Sequence, residues 1–345
     1  MKIALDAMGG DHAPSAIVEG ALEAVREFDE VEIILVGDEH AILGELAGKN
    51  VPAGRIEIAH ASEVVEMGES PMAAIRKKKD SSIKKTVDLV KSGQARAAVS
   101  AGHSGVAMAL GLLVLGKSEG VDRPAIAALM PTMKGPFVLL DGGANVDCSP
   151  INLFQFALMG HAYSKHILGR PDPKVALLSI GEEASKGNEL TKEVFKLLKD
   201  SGLNFIGNVE GKDIFQGKAD VVVCDGFVGN IVLKTSEGLA EMVVKMLKME
   251  IASLTMGRLG YLFVKGALRG FKKKTDYAEY GGAPLLGING TCIISHGRST
   301  SKAIKNAVRV ACDSVKKNLD EVIRNDIATM QLKIPTIKGG GVAAV

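Results

Sequence analysis

The run Val221-Val222-Val223-Cys224-Asp225-Gly226-Phe227-Val228-Gly229-Asn230 decides how the rest of the chain is read. Its β-branched start, bounded by an Asp-Gly turn signal, reads as a buried strand. A periodic segment from residue 231 to about 250 follows and reads as a helix. An acid and an amide therefore stand where a strand ends and a helix begins. In parallel α/β sheets ligands bind at the carboxyl ends of strands, near helix N-termini whose free N–H groups favour anions. The same residue types also suit a plain strand-to-helix turn. Recurrence of this punctuation at other strand ends weighs for the first reading.

Outward from this run the chain alternates. Strands are expected at residues 2–8, 31–37, 55–60, 97–101, 125–129, 137–140, 174–180 and 291–295. Helical patterns fall between them, near residues 15–28, 38–47, 71–91, 106–115, 150–168 and 189–199, with a last one at about 300–324. Strands separated by helices of this length imply βαβ units, a mainly parallel sheet and helices on both faces. The expected class is α/β in two domains. The first comprises residues 1–145 plus 285–330 and the second 146–284, with 331–345 as a frayed tail.

Composition sets the outer limits. The 345 residues exceed the usual size of one domain, and 46% hydrophobic with 24% charged residues is globular. Forty Gly, no Trp and few aromatics favour α/β layers with many turns over a β-sandwich. A net charge of +2 gives no global attraction to nucleic acid, and none is expected as a partner. Cys148, Cys224, Cys292 and Cys312 lack metal or redox spacing and read as reduced, partly buried thiols of a cytoplasmic protein. The start Met1-Lys2-Ile3-Ala4-Leu5-Asp6 turns acidic too soon for a signal peptide, and no apolar run nears ~20 residues.

Five expected strand ends share one chemistry, Gly with short polar side chains. They are Gly9-Gly10-Asp11-His12, Gly102-His103-Ser104, residues 141–147, residues 181–188 and residues 225–230. Backbone N–H groups in such turns suit phosphate. There is no GxGxxG after the first strand, no P-loop, no GxSxG elbow and no HExxH, so the usual dinucleotide, nucleotide, serine-hydrolase and zinc-protease readings lose their motifs. Arg76-Lys77-Lys78-Lys79 with Lys84 and Lys85 is a cationic cluster, either a solvated helix face or a dock for an acidic partner. Residues 254–274, if helical, place Arg258, Lys265, Arg269 and Lys272 opposite Met256, Leu259, Phe263, Val264, Ala267 and Phe271. That pattern fits an anionic membrane surface or packing on protein.

Together, Asp6-Ala7-Met8-Gly9-Gly10-Asp11, Ala101-Gly102-His103-Ser104-Gly105, Asp141-Gly142-Gly143-Ala144-Asn145 and Asp225–Asn230 resemble the bacterial acyl-ACP:phosphate acyltransferases of phospholipid synthesis. Gly281-Gly282-Ala283-Pro284-Leu285-Leu286-Gly287 and Ser295-His296-Gly297-Arg298-Ser299 fit the same family, in order over about residues 1–325. The resemblance implies transfer of a long-chain fatty acyl group from acyl carrier protein to inorganic phosphate, giving acyl phosphate. It also implies an isopropylmalate-dehydrogenase-like fold, a homodimer and peripheral association with the inner face of the cell membrane. In the related β-decarboxylating dehydrogenases the turn matching residues 225–230 supplies aspartates to a metal. Here Asn230 stands at the second acid position, so neither a metal nor a nicotinamide cofactor is expected.

Phosphate is already an anionic nucleophile near neutral pH, so the protein must orient it and stabilise an oxyanion. Lys186 and Asn230 are the expected catalytic residues. Asp11, His12, His103, Ser104, Asn145 and Asp225 are expected to frame phosphate or substrate. Arg76, Lys77, Lys78, Lys79 and Lys84 would dock the acidic carrier, and Met256, Leu259, Phe263, Val264 and Phe271 would touch membrane. Two rival readings stay open, a soluble acetyl- or butyryl-CoA phosphotransferase and a non-catalytic membrane scaffold for the carrier protein.

Overall fold

The computed structural model describes residues 1–253, 266, 270 and 277–333. The chain begins with strand β1 (Lys2–Asp6), followed by β2 (Glu32–Gly37), β3 (Ile56–His60) and β4 (Ala97–Ser100). Strands β5 (Ala125–Ile126), β6 (Ala128–Met130), β7 (Phe137–Leu140), β8 (Val175–Leu178), β9 (Phe205–Val209) and β10 (Val221–Val223) come next. The last two are β11 (Ala283–Leu286) and β12 (Thr291–Ile294). They form two sheets, ordered β3-β2-β1-β4-β12-β11-β5 and β6-β7-β10-β8-β9. Strands β1 to β4 and β12 run parallel, as do β7 to β10, so the loops after them gather at one edge of each sheet.

Both sheets are covered on two faces, and strand periodicity shows how. Helix α1 (Ser15–Glu27) buries Ile17, Val18, Ala21, Leu22 and Val25. Helix α2 (Glu39–Leu46) is capped by Asp38, whose side chain accepts the Ala41 N–H. Helices α3 (Pro71–Lys77), α4 (Ser82–Lys91) and α5 (Ser104–Leu110) follow, the last continuing as a π turn. Ile3, Leu5, Ile33 and Leu35 point toward α1, while Ala4, Ile34 and Val36 point the other way, toward Leu89 of α4.

In the second half, α6 (Pro150–His166) opens with a reciprocal Ser149–Asn152 capping box and is apolar nearly all round, as a helix enclosed by neighbours must be. Helix α7 (Glu189–Lys199) covers the outer strands, and α8 (Gly226–Ser253) is the longest element. Val138, Leu140, Val175, Leu177, Val221 and Val223 pack on the α6 side. Phe137, Leu139, Ala176 and Val222 face away, toward Val232 and Leu233 of α8. Helix α9 (Ser301–Lys316) returns to the first sheet beside α1, and α10 (Leu319–Lys333) crosses to α6.

The alternating α/β class expected from the sequence is the class observed. Its local details differ. Residues 205–209 and 283–286 are strands, though the second lies in a stretch read as turn. The long helix starts at Gly226, not beyond Asn230. The expected division at 145/146 does not follow the sheets, because β6 and β7 already belong to the second. Helix α10, assigned to the first domain, contributes Leu319, Ile323 and Ile327 to the core around α6.

Candidate functional site

Each sheet carries a buried carboxylate under a Gly-rich turn at its loop-bearing edge. Asp6 ends β1, and its carboxylate accepts the Ser100 hydroxyl at 2.7 Å and the Met8 N–H at 3.2 Å. Ser100 in turn accepts the Gly102 N–H at 3.0 Å, so one hydroxyl joins the ends of β1 and β4. Burial pushes the Asp6 carboxyl above its ordinary range. Asp141 follows β7, and its two oxygens receive the N–H groups of Ile126, Gly143, Ala144 and Asn145 and the Asn145 amide at 2.7–3.1 Å. Burial also raises this carboxyl, against hydrogen bonds that pull it down. Neither acid was singled out as a site residue, yet an Asp closely followed by Gly-Gly, three residues on for Asp6 and one for Asp141, was the visible signal for both.

The expected site residues separate into groups. Asp225 caps α8, with its carboxylate accepting the Val228 N–H at 2.8 Å. Asn230 lies on that helix, exposed, and packs on the second turn, since a Cβ at Gly143 would lie 3.3 Å from its own Cβ. Asn145 does not turn outward. Its amide donates to Asp141 and to the Pro124 carbonyl, both at 2.8 Å, so those hydrogens hold the loop. Lys186 is exposed on the loop after β8, with its stem folded over Gly181. Among the described residues nothing pairs with its ammonium. Asn208 pins the same loop by donating to the Glu183 carbonyl, which also accepts the Lys186 N–H at 3.0 Å.

On the first sheet, Asp11 donates its backbone N–H to Gly297 O at 2.7 Å, which ties the turn after β1 to the loop after β12. Asp11 and His12 are exposed. His103 is half-buried, its Nδ1 without a hydrogen-bond partner among the described residues, and Ser104, exposed, begins α5. The two edges meet through α8, where Lys234 Nζ is 3.3 Å from His296 Nε2 and Arg298 is 3.1 Å from Glu241. Sequence reading quoted His296 only within a motif and did not assign Lys234 a role. Their meeting joins positions 62 residues apart, which no local pattern reveals.

The cationic cluster is partly neutralised from within. Lys78 pairs with Glu69, Lys84 with Asp88 at 2.5 Å and Lys85 with Asp80 at 3.7 Å. Arg76, Lys77 and Lys79 stay exposed and have no ion pair among the described residues. A second basic surface escaped the sequence reading. A groove of about 440 Å³ beside the Lys186 loop is lined by Ala184, Ser185, Lys192, Phe195, Lys196 and Lys199. Met256, Leu259, Phe263, Val264 and Phe271, the expected membrane contacts, lie outside the described residues.

No thiol is poised as a nucleophile. Burial pushes Cys148 up to about 11 and raises Cys224 well above the ordinary thiol range, so both stay protonated at neutral pH.

A family model described as "Fatty acid synthesis protein" matches residues 1–322. The chain is similar to the phosphate acyltransferase of Thermodesulfovibrio yellowstonii, 61% identical over 319 residues and 92% of each chain. It is 56% identical to that of Geobacter sulfurreducens over 329 residues, 95% of each. Among solved structures, a phosphotransacetylase from Streptococcus pyogenes superposes with a TM-score of 0.61 at 20% identity, covering 92% of this chain and 94% of that one. A 4-hydroxythreonine-4-phosphate dehydrogenase from Klebsiella pneumoniae gives 0.52 at 14% identity, over 91% and 99%. These two likenesses concern the α/β two-sheet fold.

Proposed function

The chain belongs to the phosphate acyltransferase family, and from that premise we propose that it moves a long-chain fatty acyl group from acyl carrier protein to inorganic phosphate, giving acyl phosphate for phospholipid synthesis. One observation carries the chemistry. Gly-rich polar loops from both sheets meet along α8, and the buried thiols remain protonated. Such a site suits a nucleophile that arrives already charged. A phosphate oxygen attacks the thioester carbonyl, the new C–O bond forms as the C–S bond breaks, and the carrier leaves as thiolate. The proton left on hydrogen phosphate passes through water to that sulfur, yielding acyl phosphate and free thiol. Lys186, unpaired at the rim, and Asn230, held against the second turn, offer N–H groups to the developing oxyanion. Arg76, Lys77 and Lys79 offer an acidic carrier a rim whose contribution is to encounter and is weakened by salt.

The test supplies phosphate with long-chain acyl-ACP, with acyl-CoA or with no thioester, and measures acyl phosphate. Product from acyl-ACP is expected, and Lys186→Ala and Asn230→Ala should each slow it about 100-fold, the scale for one lost oxyanion donor. Product from acyl-CoA alone would favour the soluble phosphotransferase reading, and no product at all the scaffold.

Two assembly properties complete the proposal. Leu239, Met242, Met246 and Met249 are exposed along α8 at three- and four-residue spacing, a seam suited to a second copy of this chain. Among the described residues no helix is long and apolar enough to cross a membrane. The pattern of residues 256–272 supports surface attachment instead, with its cations worth ~1 kcal/mol each near anionic headgroups. Leu239→Glu with Met242→Glu should yield monomers in sedimentation. Leu259→Glu with Phe263→Glu should abolish flotation with anionic liposomes and leave the dimer intact. The opposite pairing of results would exchange the two assignments.

A further inference from the structure

Strand β9 is the outer edge of the second sheet, and its pairing with β8 slips by one residue. Val175 pairs with Phe205 and Leu177 with Asn208, so two steps on one strand face three on the other. The extra residue makes a β-bulge, a feature uncommon in parallel pairs. Gly207, inside it, takes a φ of +97°, a conformation open to glycine. Side chains alternate along a strand, so positions 205 and 208 of a regular one would point to opposite faces. Here they share a face. Phe205 meets Phe195 of α7 edge-on, with ring centroids 5.2 Å apart, and Asn208 reaches the loop that leads into the same helix.

What Asn208 does there is specific. It is 6% exposed, and its amide donates to the Glu183 carbonyl at 3.0 Å. That carbonyl also accepts the Lys186 N–H at 3.0 Å, so one oxygen gathers the strand and the turn that carries the lysine. The lysine stem folds over Gly181, and Gly187 closes the turn with a φ of +101°. Stability does not account for the amide. Its Oδ1 has no hydrogen-bond partner among the described residues, and neither has Ser179 Oγ, which a Cβ at Gly187 would meet at 2.8 Å. A buried acceptor left unmatched costs at least as much as one net hydrogen bond returns. An apolar side chain of the same shape would suit the fold as well or better.

We infer that Asn208 is a positioning residue for the acyl-transfer step, turned by the bulge in β9 so that its amide fixes the backbone from which Lys186 projects. This rests on the reading of Lys186 as a donor to the developing oxyanion. A lysine side chain is long and rich in rotamers, so its ammonium can be pre-placed only if its backbone is held. Donors to an oxyanion act by standing in position before the charge develops, and a small misplacement is costly in rate. Asn208 acts on the lysine only through the Glu183 carbonyl. The unmatched Oδ1 is the stability given up for that hold.

Asn208→Leu keeps the shape and removes the amide. Its melting temperature should match or exceed the parent's, while hydrogen exchange at the Lys186 amide speeds up. The kcat for acyl phosphate from acyl-ACP should fall about 10-fold at an unchanged acyl-donor KM. Asn208→Ala, which adds no bulk, should lose the same kcat. Neither change should slow Lys186→Ala any further, because a residue that acts through the lysine then has nothing left to position. Parental kcat in both Asn208 variants, with Lys186→Ala slow, overturns the positioning role and leaves the lysine's standing. An additional loss of about 10-fold on top of Lys186→Ala overturns it as well, since Asn208 would then act elsewhere. A Lys186→Ala variant as fast as the parent would sink the oxyanion reading itself, and the positioning role with it.

Discussion

The turn after β1 and the turn after β7 solve one problem in two ways. Both place a buried aspartate under glycines at the edge of a parallel sheet. Asp141 draws most of its donors from its own loop, including both the N–H and the amide of Asn145, and so closes that loop on itself. Asp6 reaches sideways to Ser100, whose hydroxyl holds Gly102, and so fastens one strand end to the next. The first is a self-contained brace and the second a cross-tie. A brace lets α8 press directly on the loop. A cross-tie keeps separate loops in register and leaves Asp11 to bond with Gly297.

The pressing helix supplies the largest expected effect. A Cβ at Gly229 would lie 1.9 Å from the Asp141 carbonyl oxygen, an overlap that only backbone movement can relieve. Gly229→Ala should destabilise the fold by about 4 kcal/mol, near the upper end for single substitutions. Gly9→Ala, which meets Gly102 N at 2.6 Å in the other turn, should cost less. Denaturant midpoints of the two variants decide this, and an equal loss would remove the distinction between brace and cross-tie.

Asp141→Asn comes next. It sets an amide NH₂ among groups that are all donors, and about 3 kcal/mol should be lost through buried N–H groups left unmatched. A variant as stable as the parent would mean that the loop is held by its backbone alone.

Asp6→Asn should be the mildest, and its sign should depend on pH. Burial raises the Asp6 carboxyl, so the folded chain holds that proton more tightly than the unfolded chain does. The resulting stabilisation is full below the ordinary carboxylate pKa and fades as pH rises through the raised value. Asn carries no such proton. Relative to the parent, Asp6→Asn should therefore gain stability between acidic and neutral pH, read from melting temperatures across that range. A difference that stays flat with pH would show that burial does not govern this carboxyl.

Much of the scaffold was legible because it is periodic. The β-branched run at residues 221–223 and the Asp-Gly after it marked both a strand and the passage into the helix that follows it. Strand β11 was hidden because Gly281, Gly282, Pro284 and Gly287 are turn residues in isolation. Only pairing with β12 on one side and β5 on the other makes residues 283–286 between them extended. The start of α8 was misread for a related reason. Gly226 and Gly229 weaken a helix locally, and what requires them is the backbone of residues 141–145, far off in sequence. Asn145 could be recognised as polar and near the edge. That its amide is spent inward depends on Asp141 and on the Pro124 carbonyl, 21 residues earlier. Likewise the lysines at 78, 84 and 85 read as free charge until the fold brought acids to them.

The order of the first sheet also bears on how the chain comes into being. Strand β12 lies between β4 and β11, so until it arrives β4 is an open edge with every residue apolar or uncharged. Roughly 190 residues separate the two, which at 5–20 residues per second is about 10–40 s of synthesis. Strands β6 to β10 are contiguous in sequence and can close their sheet during that interval. The half that emerges first from the ribosome is therefore the half completed last. Through those seconds its unpaired edge is the part of the nascent chain most in need of shelter from other strands.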